Sequence, residues 1–144
     1  MIEIQIQNLE HPGLQPYRTL RQSVEHQRSG IFVAEGEKVV QRLIDSGLEI
    51  ISVLMTSEWL NKYRRPLESR KEHVNVFVAA KKLLETIVGF PLHQGIMAVG
   101  KIPKPVSLED LLSKETPPHL FVAVDGLTNS ENLGILVRNC AALG

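Results

Sequence analysis

A single cysteine, Cys140, serves this chain of 144 residues. An internal disulfide framework is therefore excluded, and a reducing cytoplasm fits. No apolar run approaches the roughly 20 residues that cross a bilayer. The opening MIEIQIQNLE has neither a basic n-region nor an apolar h-region, so no signal peptide is expected. Neither charge is in excess: Lys plus Arg and Asp plus Glu number 16 each. That balance argues against strong, indiscriminate nucleic-acid binding over the whole surface, and leaves room for a local basic patch. Internal repeats, low-complexity segments and the G-x-G-x-x-G dinucleotide fingerprint are all missing. His26 and His73 lack metal-ligand spacing with Cys140, so no metal site is expected. A hydrophobic fraction of 43% suits one full domain, or one domain plus part of another.

What is present is an alternation of short apolar runs with amphipathic stretches of about ten residues. After a lead-in with a turn near His11-Pro12-Gly13, a helix is predicted from Pro16 to about Arg28, with Tyr17, Leu20 and Val24 as its apolar stripe. Ile31 to Ala34 reads as a strand. Glu35-Gly36-Glu37 then opens a helix that buries Val39, Val40, Leu43 and Ile44 and ends at Gly47. Ile50 to Met55 is an apolar strand. Thr56 or Ser57 caps a helix bearing Trp59, Leu60 and Tyr63, which Pro66 limits or interrupts. Strands over Val74 to Val78 and Ile96 to Val99 flank a helix from Ala80 to Val88, with Leu83, Leu84 and Ile87 inward. Apolar strands alternating with helices imply an α/β layered domain with a mainly parallel or mixed sheet, covered on both faces.

Four of the eight prolines fall between Ile102 and Pro118, which reads as a stiffened linker. Within it, Ser107 caps a short helix in capping-box spacing with Asp110, and Leu108, Leu111 and Leu112 are expected to dock. Beyond it lies HLFVAVDGLTNSENLGILVRNCAALG, from His119 to Gly144. Leu120 to Val124 is predicted as a buried strand, and Asp125-Gly126 ends it. A polar loop through Thr128, Asn129 and Ser130 leads into a helix from about Glu131. Leu133, Leu136, Val137 and Cys140 share one face of that helix, so Cys140 is expected to be a small buried thiol. Asn132 stands in its first turn and Arg138 nearly two turns on.

The order of strand, Asp125-Gly126, Asn132-x-Gly134, Arg138, Ala141 and Gly144 resembles the first motif of the SpoU/TrmH family of RNA ribose 2′-O-methyltransferases, in the SPOUT superfamily. FVAEGEKVVQRLIDSGLEIISVLMTSE and the later HQGIMAV resemble the substrate-binding domain of the same family. Their most specific marks are Glu35-Gly36-Glu37 and His93-Gln94-Gly95. The resemblance implies an L30e-like three-layer α/β/α sandwich over residues 1–101 and a proline-rich linker over 102–118. Residues 119–144 would be the first strand and helix of a truncated SPOUT trefoil-knot domain.

It also implies an S-adenosylmethionine-dependent transferase acting on rRNA or tRNA, cytoplasmic and homodimeric as an intact enzyme. Two later motifs of that family are missing from the sequence, so the donor site is expected to lie mostly outside this chain. Asn132 and Arg138 carry over as the catalytic pair. Guanidinium stays protonated in proteins, so Arg138 is expected to clamp a phosphate or stabilise the developing alkoxide. A local RNA-contact patch is expected at Lys62, Arg64, Arg65, Arg70 and Lys71, with Tyr63 for stacking and Arg18, Arg21 and Arg28 as extensions. The alternative is a non-catalytic RNA-binding module of L30e type, or simply a solvated charged face over residues 62–71.

Overall fold

A computed structural model describes residues 1–8, 10–20, 22–89, 95–114 and 116–143. The chain divides into two compact units, Met1–Lys104 and Pro105–Gly144.

The first unit is built on five strands: β1 (Ile2–Gln5), β2 (Ile31–Glu35), β3 (Ile50–Met55), β4 (Asn75–Val78) and β5 (Ile96–Lys101). They form one open mixed sheet in the order β1-β4-β3-β5-β2. β1, β4 and β3 run parallel, while β5 is antiparallel to both its neighbours, β3 and β2. The three central strands are the apolar runs of the sequence and are buried almost throughout. The edge strands β1 and β2 are more exposed. That contrast follows from position, because a central strand is covered on both faces.

Side chains of alternate residues enter two separate cores. On one face Val76 and Val78 of β4 and Ile96 and Ala98 of β5 meet Val40, Leu43 and Ile44 of α3 (Glu37–Asp45). Leu60, Tyr63 and Leu67 of α4 (Ser57–Glu68) join them there. On the other face Phe77, Met97 and Val99 meet Leu14, Tyr17 of α1 (Gln15–Arg18), and Leu84, Ile87 and Val88 of α5 (Lys81–Val88). The arrangement is helix, sheet, helix. β3 breaks strict alternation: Ile50 and Val53 both serve the first core. The pairing Ile50↔Gly100 is followed by Ser52↔Val99, so Ile51 is an extra, exposed residue in a β-bulge. The bulge turns Ser52 to the second face, where its hydroxyl meets Tyr17 Oη at 2.8 Å. Burial pushes the Tyr17 phenol well above its usual range, so it serves here as a neutral hydroxyl.

Several expectations change. β1 was hidden in the lead-in, although Ile4 and Ile6 both reach the second core. The helix expected from Pro16 to Arg28 is two pieces, α1 and α2 (Ser23–Arg28). Thr19 ends the first piece, its hydroxyl bonding both the Gln15 carbonyl and His26 Nε2. Tyr17 is buried, while Val24 points out at 60% exposure. Pro66 does not stop α4, which runs to Glu68. A proline in the last turn forfeits one backbone bond, worth about 1 kcal/mol. Leu67 beyond it is fully buried, worth about 2 kcal/mol. Ser69 closes the end by donating to the Pro66 carbonyl at 2.8 Å.

The second unit contains α6 (Leu108–Lys114) and α7 (Ser130–Leu143). Ser107 Oγ accepts from the Asp110 N–H at 3.0 Å, the expected cap. Leu108, Leu111 and Leu112 are exposed rather than docked. Residues 120–124 form no strand and pair with nothing among the described residues. A strand needs a partner for its backbone groups, and β-propensity alone does not supply one. Leu120, Phe121, Val122 and Val124 stand exposed, as do Leu133, Val137 and Cys140 on α7. Of the apolar face expected to be buried, only Leu136 is half-buried, and the other three residues are open.

Candidate nucleic-acid interface

β2, β3 and β4 end, and β5 begins, at one end of the sheet. Three backbone bonds tie the junctions there: Gly36 N–H to Ile96 O at 3.1 Å, Thr56 N–H to Gly95 O at 3.2 Å, and Ala79 N–H to Met55 O at 3.1 Å. Helices α3, α4 and α5 all start from these junctions. Gly36 occupies φ 83°, ψ 157°, a conformation essentially reserved for glycine. Gly95 has φ 64°, and a Cβ there would fall 3.2 Å from Thr56 Cγ2. Both glycines thus keep the junctions close. His93 and Gln94 lie outside the described residues.

None of the three N-cap residues, Gly36, Thr56 and Ala80, gives its helix a side-chain capping bond. The first-turn N–H groups of a helix carry partial positive charge and seek acceptors. Between the starts of α4 and α5 lies a cavity of about 520 Å³, lined by Thr56, Ser57, Glu58, Trp59, Ala79, Ala80 and Lys81. It sits outside the carboxyl ends of the parallel strands β3 and β4, where open α/β sheets bind ligands. The Thr56 hydroxyl is buried and has no partner among the described residues.

The face of α4 beside this cavity carries an aromatic pair. Trp59 and Tyr63 stack with centroids 6.0 Å apart and planes 24° apart. Lys62 Nζ lies 5.2 Å from the Trp59 ring and 5.4 Å from Tyr63, and is ion-paired to Glu37 of α3. That hydrogen bond to Glu37 raises the Lys62 pKa. Desolvation raises that of the Tyr63 phenol. Tyr63, expected as a stacking surface, is only 2% exposed, so Trp59 is the more accessible aromatic of the two.

The five basic residues expected as a patch have different occupations. Lys62 is paired with Glu37. Arg64 is paired with Glu3 at 2.8 Å and lies 3.9 Å from Glu68. Arg70, with 13% of its side chain exposed, is committed to the fold. Its Nη1 donates to Ile44 O at 2.8 Å and Ser46 O at 2.6 Å, and its Nη2 donates to Leu48 O. Nε and Nη2 also grip Glu72 Oε1, at 2.9 and 2.6 Å. Burial would raise the Glu72 pKa, but the Arg70 bonds and the Ile50 N–H outweigh it and hold the carboxyl at about 2. Arg65 and Lys71 are exposed and have no ion pair among the described residues. Arg18 and Arg28 are also exposed, and Arg21 lies outside the described residues.

In the second unit, Asn129 caps α7, its Oδ1 accepting from the Glu131 N–H at 2.7 Å. Asn132 is exposed in the first turn. Arg138 is exposed and folds back on its own helix, its Nε donating to Gly134 O at 3.0 Å. No hydrogen bond between Asn132 and Arg138 occurs among the described residues. The residues that sequence reasoning missed are those of the cavity. Their signal was two apolar strands ending in small residues, Thr56-Ser57 and Ala79-Ala80, each directly before a helix.

The MRM3-like substrate binding domain matches residues 12–98, more than half of the chain. The chain belongs to this family. It is 36% identical over 74 residues to the 23S rRNA (guanosine-2′-O-)-methyltransferase RlmB of Acinetobacter baylyi, covering 49% of this chain and 29% of that one. It is 27% identical over 118 residues to an uncharacterized tRNA/rRNA methyltransferase of Mycobacterium tuberculosis, covering 78% of this chain and 38% of the relative. The chain thus spans about a third of the length of these curated relatives. The crystal structure of an RNA 2′-O ribose methyltransferase shares the fold at TM-score 0.62 and 19% identity, over 98% of this chain and 53% of that one. The family match takes in the MRM3-like sheet from β2 into β5, including the cavity and α4. Among the described residues, no helix is long and apolar enough to cross a membrane.

Proposed function

We propose that this chain supplies the RNA-binding portion of an S-adenosylmethionine-dependent RNA ribose 2′-O-methyltransferase. The observation that carries the reading is membership of a substrate-binding family over residues 12–98. The curated relatives, named as rRNA or tRNA/rRNA methyltransferases, support it. Residues 1–101 form an L30e-like substrate-binding domain and 102–118 a linker. Residues 119–144 open a SPOUT catalytic domain, with Asn132 and Arg138 as its residues beside the ribose. The RNA is rRNA or tRNA, and the complete enzyme is a cytoplasmic homodimer.

The donor requires an enclosing site. Asn132, Arg138 and residues 120–124 all stand exposed, so the described residues of the second unit do not fit a donor site by themselves. Arg65 and Lys71, which have no ion pair among the described residues, are the cations of α4 and the turn after it best placed to meet phosphates. The test is fluorescence anisotropy of a labelled rRNA hairpin with the purified chain, across a salt series. Binding whose logarithm falls with the logarithm of salt is expected. No binding at low salt would overturn the reading.

A further inference from the structure

We infer that the cavity between the starts of α4 and α5 is a nucleotide subsite, taking one unstacked base of the RNA with its phosphate. The inference rests on the RNA-binding reading above and names a site within it. At about 520 Å³ the cavity lies inside the range of small-ligand sites. Its two walls differ in chemistry. The α5 wall consists of Ala79, Ala80 and Lys81. Two small side chains leave room, and an ammonium stands at the first turn of a helix whose N-cap, Ala80, has no side chain able to cap it. A phosphate fits there, accepting from first-turn N–H groups and from Lys81.

The α4 wall carries Thr56, Ser57, Glu58 and Trp59. Trp59 offers an indole in the cavity's lining, the surface on which unpaired bases stack. Glu58 repels phosphate, which fixes the ligand's direction: phosphate toward Lys81, base toward α4. A carboxylate only accepts hydrogen bonds, so it favours a base edge with adjacent N–H donors. Guanine presents two such donors and uracil one, flanked by acceptors.

Trp59 is the chain's single tryptophan and lines this cavity, so its fluorescence reports on the cavity together with the Tyr63 and Lys62 side chains beside the ring. The chain is titrated with GMP, UMP, ribose 5-phosphate and inorganic phosphate. GMP is expected to quench saturably, UMP more weakly, and phosphate hardly at all. Ala80→Leu fills the cavity from an exposed position and should abolish the quench. Lys81→Glu should weaken GMP binding about tenfold, the loss of one charge-assisted contact. Glu58→Gln should narrow the gap between GMP and UMP. Circular dichroism melting confirms that each variant is folded.

A GMP titration without saturation overturns the inference. So does quenching by phosphate equal to that by GMP, or a quench that survives Ala80→Leu in folded protein. The hairpin anisotropy assay separates the two readings. Hairpin binding by the wild-type chain without any GMP quench defeats the subsite alone, whereas absence of hairpin binding defeats the reading on which it stands.

Discussion

Replacing Arg70 by methionine keeps the length and apolar stem of the side chain and removes its donors. In the structure those donors satisfy carbonyls of Ile44, Ser46 and Leu48, where α3 ends and the chain turns toward β3, and they hold Glu72. The guanidinium also stands at the negative end of the α3 dipole. With 13% and 23% of the two side chains exposed, the pair is largely shielded from water. Breaking such a pair from one side costs about 3–5 kcal/mol, mostly because the remaining groups lose their partners.

The acid dependence points the same way. Burial would raise the Glu72 pKa, but the Arg70 bonds together with backbone N–H groups hold it at about 2, so the charged carboxyl stabilises the fold. Because the folded value is the lower one, that stability is present above about pH 4.5 and is lost as pH falls toward 2. Set against a typical domain stability of about 5–15 kcal/mol, the loss is large. Urea unfolding followed by circular dichroism should show Arg70→Met less stable by about 3–5 kcal/mol at pH 7. Its stability should also depend less on acid between pH 4.5 and 2 than that of the wild type. RNA affinity per folded molecule should stay unchanged, since the guanidinium is already occupied. A variant within about 1 kcal/mol of wild type, with an unchanged acid slope, would refute the reasoning.

Arg65→Ala with Lys71→Ala should leave stability unaltered and weaken hairpin binding, lowering the salt slope by about 2 as two phosphate contacts are lost; an unchanged slope would mark both as solvated charges. Gly36→Ala forces an L side chain into a conformation reserved for glycine, and urea unfolding should register a loss of about 1–3 kcal/mol. Arg138→Lys, introduced into a longer protein that carries the remainder of the enzyme, should lower turnover by about a hundredfold or more. Its melting temperature should hold, because Arg138 is exposed and bonds only to its own helix among the described residues. Near-normal turnover would remove Arg138 from the catalytic pair.

The alternation of β2 through β5 with α3, α4 and α5 was legible because each element carries its own period of apolar residues. β1 was not, because its four residues are stabilised by parallel pairing with Asn75–Val78, a contact no local pattern reveals. The bulge at Ile51 likewise depends on β5, half the first unit away in sequence. The basic run was legible as charge but not as occupation. Glu3, Glu37 and the carbonyls of Ile44, Ser46 and Leu48 are brought to Arg64, Lys62 and Arg70 only by folding. The strand expected over 120–124 shows the converse: a pattern suited to burial, with no second layer among the described residues to complete it. Asn132 and Arg138 were named through resemblance, and their exposure gives no independent geometry for them.

The position of β5 governs when the first unit can form. It is the last strand of that unit in sequence yet lies inside the sheet, pairing Ile31–Glu35 on one side and Ile50–Met55 on the other. Until residues 96–101 are available, β2 has no neighbour in the sheet and the bulged strand β3 pairs on one side only. On a ribosome the unit therefore completes late, after nearly its whole length has been made. Its edges wait exposed meanwhile, as long-range pairings are slow to close. Any shortened version that stops before β5 would lose a central strand of its sheet, together with both faces' contributions from Ile96 to Val99.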